Sequence, residues 1–166
     1  MSLYNVSVPA FVQVLGALSK VIEKAEAHAE AKKIDPAALL NARLFPDMYT
    51  FTRQVQQACD FAAKTTARLA GADVPNYDNT ETSFAALKQR IATAIGYVQG
   101  FKAEQFNGAE TRVIKLPVGG NTMEFPGLQF LVYFAMPNFY FHATTAYNIL
   151  RHNGVEIGKR DFMGQR

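Results

Sequence analysis

The chain has 166 residues, of which 49% are hydrophobic, and it carries a formal net charge of +3. This length and composition predict a single domain over residues 1–166 that buries roughly 70% of the surface of its unfolded chain. Its one cysteine, Cys59, excludes an internal disulfide framework and a multi-cysteine metal site. Basic and acidic residues are interleaved and form no basic face, so we expect no nucleic-acid partner.

The first part of the chain has helical periodicity. Apolar residues recur at three- and four-residue spacing from Val8 to Ala25, and Ser7 with Pro9 predicts the start of this helix. Asp35-Pro36 is an N-cap followed by a proline in the first turn, which predicts a short helix from Pro36 to about Asn41. The N-terminus lacks the basic cluster and apolar run of a signal peptide, so we expect a cytoplasmic protein.

Two further amphipathic helices follow in the sequence. Asp47 is the predicted cap of the second long helix, which is predicted to end at Gly71. Thr80 or Thr82 is the predicted cap of the third, whose apolar positions recur from Phe84 to Phe101. The segment between these two helices is rich in proline, asparagine and aspartate, a composition typical of a loop.

The pattern changes after the third helix. Two short apolar and β-branched segments flank Gly119-Gly120 and predict a β-hairpin. The last helix is predicted from Pro126-Gly127 to a stop at Asn153-Gly154. Pro137 has no backbone N–H to donate, which predicts a kink immediately before it. Polar residues interrupt the apolar surface of this helix and favour a buried position over a membrane span, so we expect no membrane partner.

These elements predict an all-α fold. Four long helices joined by short connections are typical of an antiparallel four-helix bundle. In this chain the bundle has a short helix after helix one and a small β-hairpin before the last helix.

A polar stripe lies on the otherwise apolar last helix. Asn138, His142 and Thr145 are spaced by four and three residues, so they share one face. Gln57 and Asp60 share a face of the second long helix in the same way. If the two faces meet, Gln57 or Asp60 contacts His142 and these side chains line a small polar pocket. A hydrogen-bonded core histidine, an acid–base site in which Asp60 orients His142, and a metal site all fit this pattern.

Three segments of the sequence carry a family resemblance. They are Leu39–Leu44 with Asp47-Met48, Gln54–Ala58 with Asp60, and Pro137–Gly154 with His142. On these segments the chain resembles the uncharacterised bacterial family called domain of unknown function nineteen-ninety-three, which is grouped with the DinB/YfiT-like superfamily of four-helix bundles. The resemblance covers nearly the whole chain.

The resemblance also implies where a functional site lies. Members of the superfamily typically hold a divalent metal with three histidines, one from the second helix and two spaced by four on the last, and several transfer low-molecular-weight thiols. The corresponding positions here are Gln57, Asn138 and His142, so the site is substituted and His142 is the one ligand left for a zinc or nickel ion.

Three functions follow from this reading and stay open. The first is a small-molecule-binding or catalytic bundle with a pocket around His142, with or without a weakly held metal. The second is a structural or interaction homodimer without catalytic activity. The third is a metal-dependent enzyme similar to a thiol transferase.

Overall fold

The computed structural model describes residues 2–164. Its elements in chain order are α1 (Leu3–Lys32), α2 (Pro36–Leu40), α3 (Phe51–Ala70), α4 (Phe84–Gln99), a 3₁₀ turn (Ala103–Phe106), β1 (Val113–Val118), β2 (Asn121–Pro126), α5 (Gly127–Gln129), a π-helical segment (Phe130–Ala135), α6 (Met136–His152) and α7 (Lys159–Met163). The described chain is therefore mostly helical, and its sheet is one antiparallel hairpin.

The start of α1 differs from the sequence prediction. Ser2 caps the helix by accepting a hydrogen bond from the backbone N–H of Tyr4, and Pro9 lies inside the helix. Ser7 is fully buried and donates its hydroxyl to the carbonyl oxygen of Leu3 at 2.6 Å. The predicted Ser7 cap is therefore wrong. The helix begins earlier because the apolar side chain of Leu3 is buried in the core and fixes an additional turn.

The starts of α3 and α4 also differ from the prediction. Thr50, and not Asp47, caps α3, while Ser83, and not Thr80 or Thr82, caps α4. Each cap accepts from the backbone N–H three residues later, at 3.3 Å and 3.1 Å respectively. In both helices the capping residue immediately precedes a buried phenylalanine. Burial of that ring selects one cap among several neighbouring residues with capping side chains.

Two local predictions are confirmed. Asp35 caps α2 by accepting from a backbone N–H at 2.9 Å. The hairpin pairs Val118 with Asn121 across the two-residue turn Gly119-Gly120. Both glycines have positive φ angles, 57° and 84°, and a tight hairpin turn of this length requires such angles at both central positions.

The last helix runs from Gly127 to His152 in three parts, with the π-helical segment between α5 and α6. At the end of this segment the backbone N–H of Met136 donates to the carbonyl oxygen of Leu131, five residues earlier. Pro137 follows directly. The predicted irregularity therefore lies where Pro137 indicated, and it is a widened π-helical turn.

The long helices pack closely on one another. Helix α3 contacts both α6 and α4, while α1 contacts α4, α3 and α6. Phe11 of α1 and Phe139 of α6 meet edge to face, 4.8 Å between ring centroids, and both are fully buried. Helix α1 is long and apolar enough by length and composition to cross a membrane, but half of its most apolar window is buried inside the protein, as in a core helix.

Candidate functional site

His142 lies at the contact between α6 and α3 and is 8% exposed. Its Nδ1 atom is 2.7 Å from Oε1 of Gln54 on α3. The amide nitrogen of Gln54 donates to the carbonyl oxygen of Tyr49, which turns the amide oxygen towards the imidazole. An amide oxygen only accepts, so the hydrogen-bond network assigns the proton of the neutral ring to Nδ1. Nε2 keeps its lone pair and has no hydrogen-bond partner within residues 2–164.

Aromatic rings surround this imidazole. Tyr49 and Phe61 stack on it with centroid distances of 6.3 Å and 5.6 Å, and Phe141 meets it edge-on at 5.4 Å. Burial, and in addition the positive charge of Arg53, lower the pKa of His142 from 6.5 to about 4. At neutral pH the ring is therefore uncharged, and its Nε2 atom is able to accept a hydrogen bond.

Acidification is expected to destabilise the fold through His142. Its pKa is about 4 in the folded protein, and a histidine in an unfolded chain has a pKa of about 6.5. Between about pH 4 and pH 6.5, His142 is therefore protonated in the unfolded chain and neutral in the folded protein. The stability contributed by the neutral ring is therefore fully present above about pH 6.5 and is lost as the pH falls towards 4.

We expect this loss to be about 2 kcal/mol, because residual contact of the ring with water reduces the full effect of the pKa difference. Urea denaturation at about pH 7 and about pH 4.5 measures it, with His142→Gln as the reference that lacks the titrating ring. Equal losses for the wild-type protein and His142→Gln contradict the assignment.

Asp60 faces α4 and not α6. Its carboxylate accepts from the guanidinium of Arg90 and, at 2.8 Å, from Lys64. Arg90 is 5% exposed, and its guanidinium carbon lies 3.5 Å from the centroid of the Tyr77 ring. Glu81 is a second carboxylate near Arg90, at 3.6 Å. Asp60 therefore belongs to a buried ion cluster that joins α3, α4 and the loop between them.

Two of the remaining predicted site residues, Gln57 and Asn138, have hydrogen-bond partners of their own. With its amide oxygen turned towards the guanidinium, half-buried Gln57 accepts from Arg53 at 2.7 Å. The side chain of Asn138 donates to the carbonyl oxygen of Phe134 in the π-helical segment at 2.7 Å. Thr145 is buried, 5% exposed. Gln57, Asp60, Asn138 and His142 thus belong to four separate hydrogen-bond groups.

Comparison with known proteins places this architecture in a family. The family model described as Domain of unknown function (DUF1993) matches residues 3–163. The chain belongs to the DUF1993 family. The crystal structure of a DinB family member protein from Shewanella denitrificans is 45% identical and superimposes with a TM-score of 0.93, covering 99% of this chain and 93% of the other. The DUF1993 chain therefore has a DinB-like helical fold. No curated protein has significant sequence similarity to it.

In this DUF1993 protein Gln54 is the site residue that the sequence interpretation missed. We expected Gln57 or Asp60 to contact His142, but Gln54 forms that hydrogen bond. A signal was present, since Gln54, Gln57 and Phe61 are spaced by three and four residues and share one helical face. The position of α6 along the axis of α3 decides which of them meets the imidazole.

The donor set of the DUF1993 site does not fit a tightly held zinc or nickel ion. Within residues 2–164 no three His, Cys, Asp or Glu side chains are grouped as metal ligands. His142 is surrounded by the neutral amide of Gln54, by aromatic rings and by the cationic Arg53. Neutral amides are weak ligands for these metals, and a neighbouring guanidinium opposes a second positive charge.

Proposed function

We propose that this DUF1993 protein is a cytoplasmic, single-domain antiparallel four-helix bundle that binds a small organic molecule at His142 without a tightly held metal. One observation carries the proposal. A neutral imidazole is oriented by Gln54 on one nitrogen while its other nitrogen has no partner within residues 2–164. Such a ring presents a directed hydrogen-bond acceptor to a ligand. The proposal includes no nucleic-acid or membrane partner.

The surroundings of the imidazole indicate the chemical class of the ligand. An acceptor at Nε2 requires an O–H or N–H donor from the ligand. Tyr49 and Phe141 flank the imidazole and are 51% and 54% exposed, so their rings are available for stacking on a flat apolar body. The charge of Arg53 favours a donor that becomes partly negative on hydrogen bonding. A phenol combines these properties.

The low pKa of His142 favours binding over proton-transfer catalysis. A general base works best when its pKa lies near the operating pH. The pKa of about 4 makes this imidazole a weak base at neutral pH, although it remains a good hydrogen-bond acceptor. The proposed role is therefore recognition of a ligand.

Titration of the protein with p-cresol, followed by NMR of the histidine side chains, tests this role. We expect saturable shifts at His142 and at least a tenfold weaker affinity in His142→Phe, which keeps an aromatic ring but lacks the acceptor. His152→Phe is the matched control, because His152 is exposed in the last turn of α6 and we expect it to leave the affinity unchanged. No binding by the wild-type protein, or equal affinity in His142→Phe, overturns the proposal.

Elemental analysis distinguishes the proposed metal-free binding protein from a metal-dependent enzyme similar to a thiol transferase. Purified protein is incubated with zinc, nickel and manganese, and its metal content is then measured. We expect less than one equivalent of each metal after desalting. One tightly held equivalent that is lost in His142→Ala would show that the site retains a metal and would overturn the metal-free proposal.

A second candidate function, a homodimer, is favoured by the outer face of the last helix. Three large side chains on this face are substantially exposed, namely Val132 at 47%, Tyr133 at 75% and Tyr140 at 38%. Residues 127–150 include no Asp, Glu, Lys or Arg. This face therefore lacks the charged side chains that would favour a partner of opposite charge. A second copy of the same face is a suitable partner because two-fold pairing brings identical patches together.

Sedimentation velocity of the wild-type protein and Tyr133→Glu tests the homodimer. We expect a dimer for the wild-type protein and a monomer for Tyr133→Glu, because the most exposed ring of the face would be replaced by a charge. Thr93→Glu on the exposed side of α4 is the control for added charge. A monomeric wild-type protein overturns this candidate and leaves phenol binding unaffected.

A further inference from the structure

A cleft lies between α1 and α7, and none of the residues that line it belongs to the site around His142. Its volume is about 1250 Å³. Val12, Gly16 and Ala17 of α1 form an apolar side, and Met163 of α7 forms part of the other. A Cβ atom added at Gly16 would have no heavy atom within 4 Å, so the missing side chain leaves open space at the cavity wall.

The C-terminal wall of this cleft is held by specific contacts. The side-chain amide of Gln13 donates to the carbonyl oxygen of Met163 at 2.8 Å, and Lys24 pairs with Asp161 at 2.7 Å. Phe162 packs edge to face on Tyr147 with a centroid distance of 5.9 Å. Helix α7 is therefore docked on α1 and α6 at a defined separation, which gives the cleft a defined width.

The rim of the cleft is positively charged. The lining residues include the cations Lys20, Lys24, Lys159 and Arg160 but only the acid Asp161, whose carboxylate already pairs with Lys24. Lys159 and Arg160 are exposed and form no ion pair with any other residue in the range 2–164. Two cations are thus available beside the apolar side of the cleft, an arrangement that attracts anions.

We propose that the cleft binds an elongated apolar molecule that ends in a carboxylate, such as a medium-chain fatty acid. The apolar side that includes Val12 and Gly16 contacts the hydrocarbon chain, and Lys159 with Arg160 binds the carboxylate. Ligand pockets usually have volumes of roughly 300–1,000 Å³. The cleft volume of about 1250 Å³ exceeds this range, so the cleft has room for an extended chain.

Calorimetric titration of the wild-type protein and of Gly16→Leu with dodecanoate tests whether the apolar side of the cleft binds the hydrocarbon chain. The leucine fills the open space at the wall, and we expect at least a tenfold loss of affinity. The variant is expected to fold, because leucine is the better helix former and meets no neighbouring atom at its Cβ. Gly96→Leu is the matched control, since Gly96 lies in α4 with equally open surroundings and outside the cleft.

The carboxylate-binding part is tested with the double variant Lys159→Glu, Arg160→Glu. We expect at least a tenfold weaker affinity for dodecanoate, while Lys32→Glu, Lys33→Glu changes the net charge equally and leaves the affinity unchanged. Circular dichroism verifies that each variant is folded. Absence of dodecanoate binding, unchanged affinity in either cleft variant, or binding only to vesicles of anionic phospholipid overturns the proposal. All three outcomes are independent of phenol binding at His142, because the two sites share no residue.

Discussion

Replacement of Asp60 by alanine is expected to lower the free energy of unfolding by about 3–5 kcal/mol. Arg90 is 5% exposed and would lose the carboxylate that accepts its hydrogen bond. Two nitrogen atoms of its guanidinium already lack a hydrogen-bond partner in the described structure, and Glu81 is 3.6 Å away. A buried cation without close compensation is costly because the protein interior solvates it poorly. Urea denaturation followed by circular dichroism measures the loss.

Two variants separate this effect from a general loss of contacts. Lys64 is the more exposed partner of Asp60, at 29% side-chain exposure, so Lys64→Ala is expected to cost less than about 1 kcal/mol. The double variant Asp60→Leu, Arg90→Met is expected to recover most of the stability, because it removes both buried charges. Equal costs for Asp60→Ala and Lys64→Ala would contradict the central role of Arg90.

Substitution of Gly127 by alanine is expected to lower the free energy of unfolding by about 2–3 kcal/mol. A Cβ atom at this position would overlap the carbonyl oxygen of Ala109 and lie 3.3 Å from a methyl carbon of Leu69. The carbonyl belongs to the backbone, so it cannot move aside as a flexible side chain can. The neighbouring backbone bond from the N–H of Leu128 to the carbonyl oxygen of Glu110, 3.1 Å long, holds the two segments together.

The same substitution at Gly96 is the matched control for this clash. Gly96 lies within α4, and a Cβ atom there has no heavy atom within 4 Å. Gly96→Ala is expected to raise the free energy of unfolding by about 0.5–1 kcal/mol, because alanine is the better helix former. Thermal and urea denaturation of both variants measure the difference. A similar stability change in both variants would show that the close approach at Gly127 is not costly.

Sequence signals located the elements most accurately where one residue type is strongly required. Asp35-Pro36 and Gly119-Gly120 are such signals, and both the short helix and the hairpin are confirmed. Thr50 and Asp47 are both good capping residues, so local chemistry alone does not distinguish them. The burial of Phe51 in the assembled core selects Thr50, and this long-range effect is absent from a single-sequence pattern.

The candidate site was predictable as a set of helical faces but not as a set of contacts. Asp60 follows Gln54 by six residues, which corresponds to a rotation of about 240° around a helix. The two side chains therefore point to different neighbours, Gln54 towards α6 and Asp60 towards α4. The pairing of Asp60 with Arg90 joins residues 30 positions apart. Its prediction requires the relative rotation and axial position of two helices, which periodicity does not specify.

The π-helical turn has a consequence for how the two ends of the last helix are positioned. Gly127 is fitted against the backbone of Ala109 at one end, while His142 is hydrogen-bonded to Gln54 nearer the other. In a regular α-helix the side-chain directions at the two ends are fixed relative to each other, because each residue adds a rotation of about 100°. The π-helical turn from Phe130 to Ala135 has a different rotation per residue, so it changes the direction of one end relative to the other. The histidine end of the helix can therefore be aligned with α3 without changing the angle at which the hairpin end is docked.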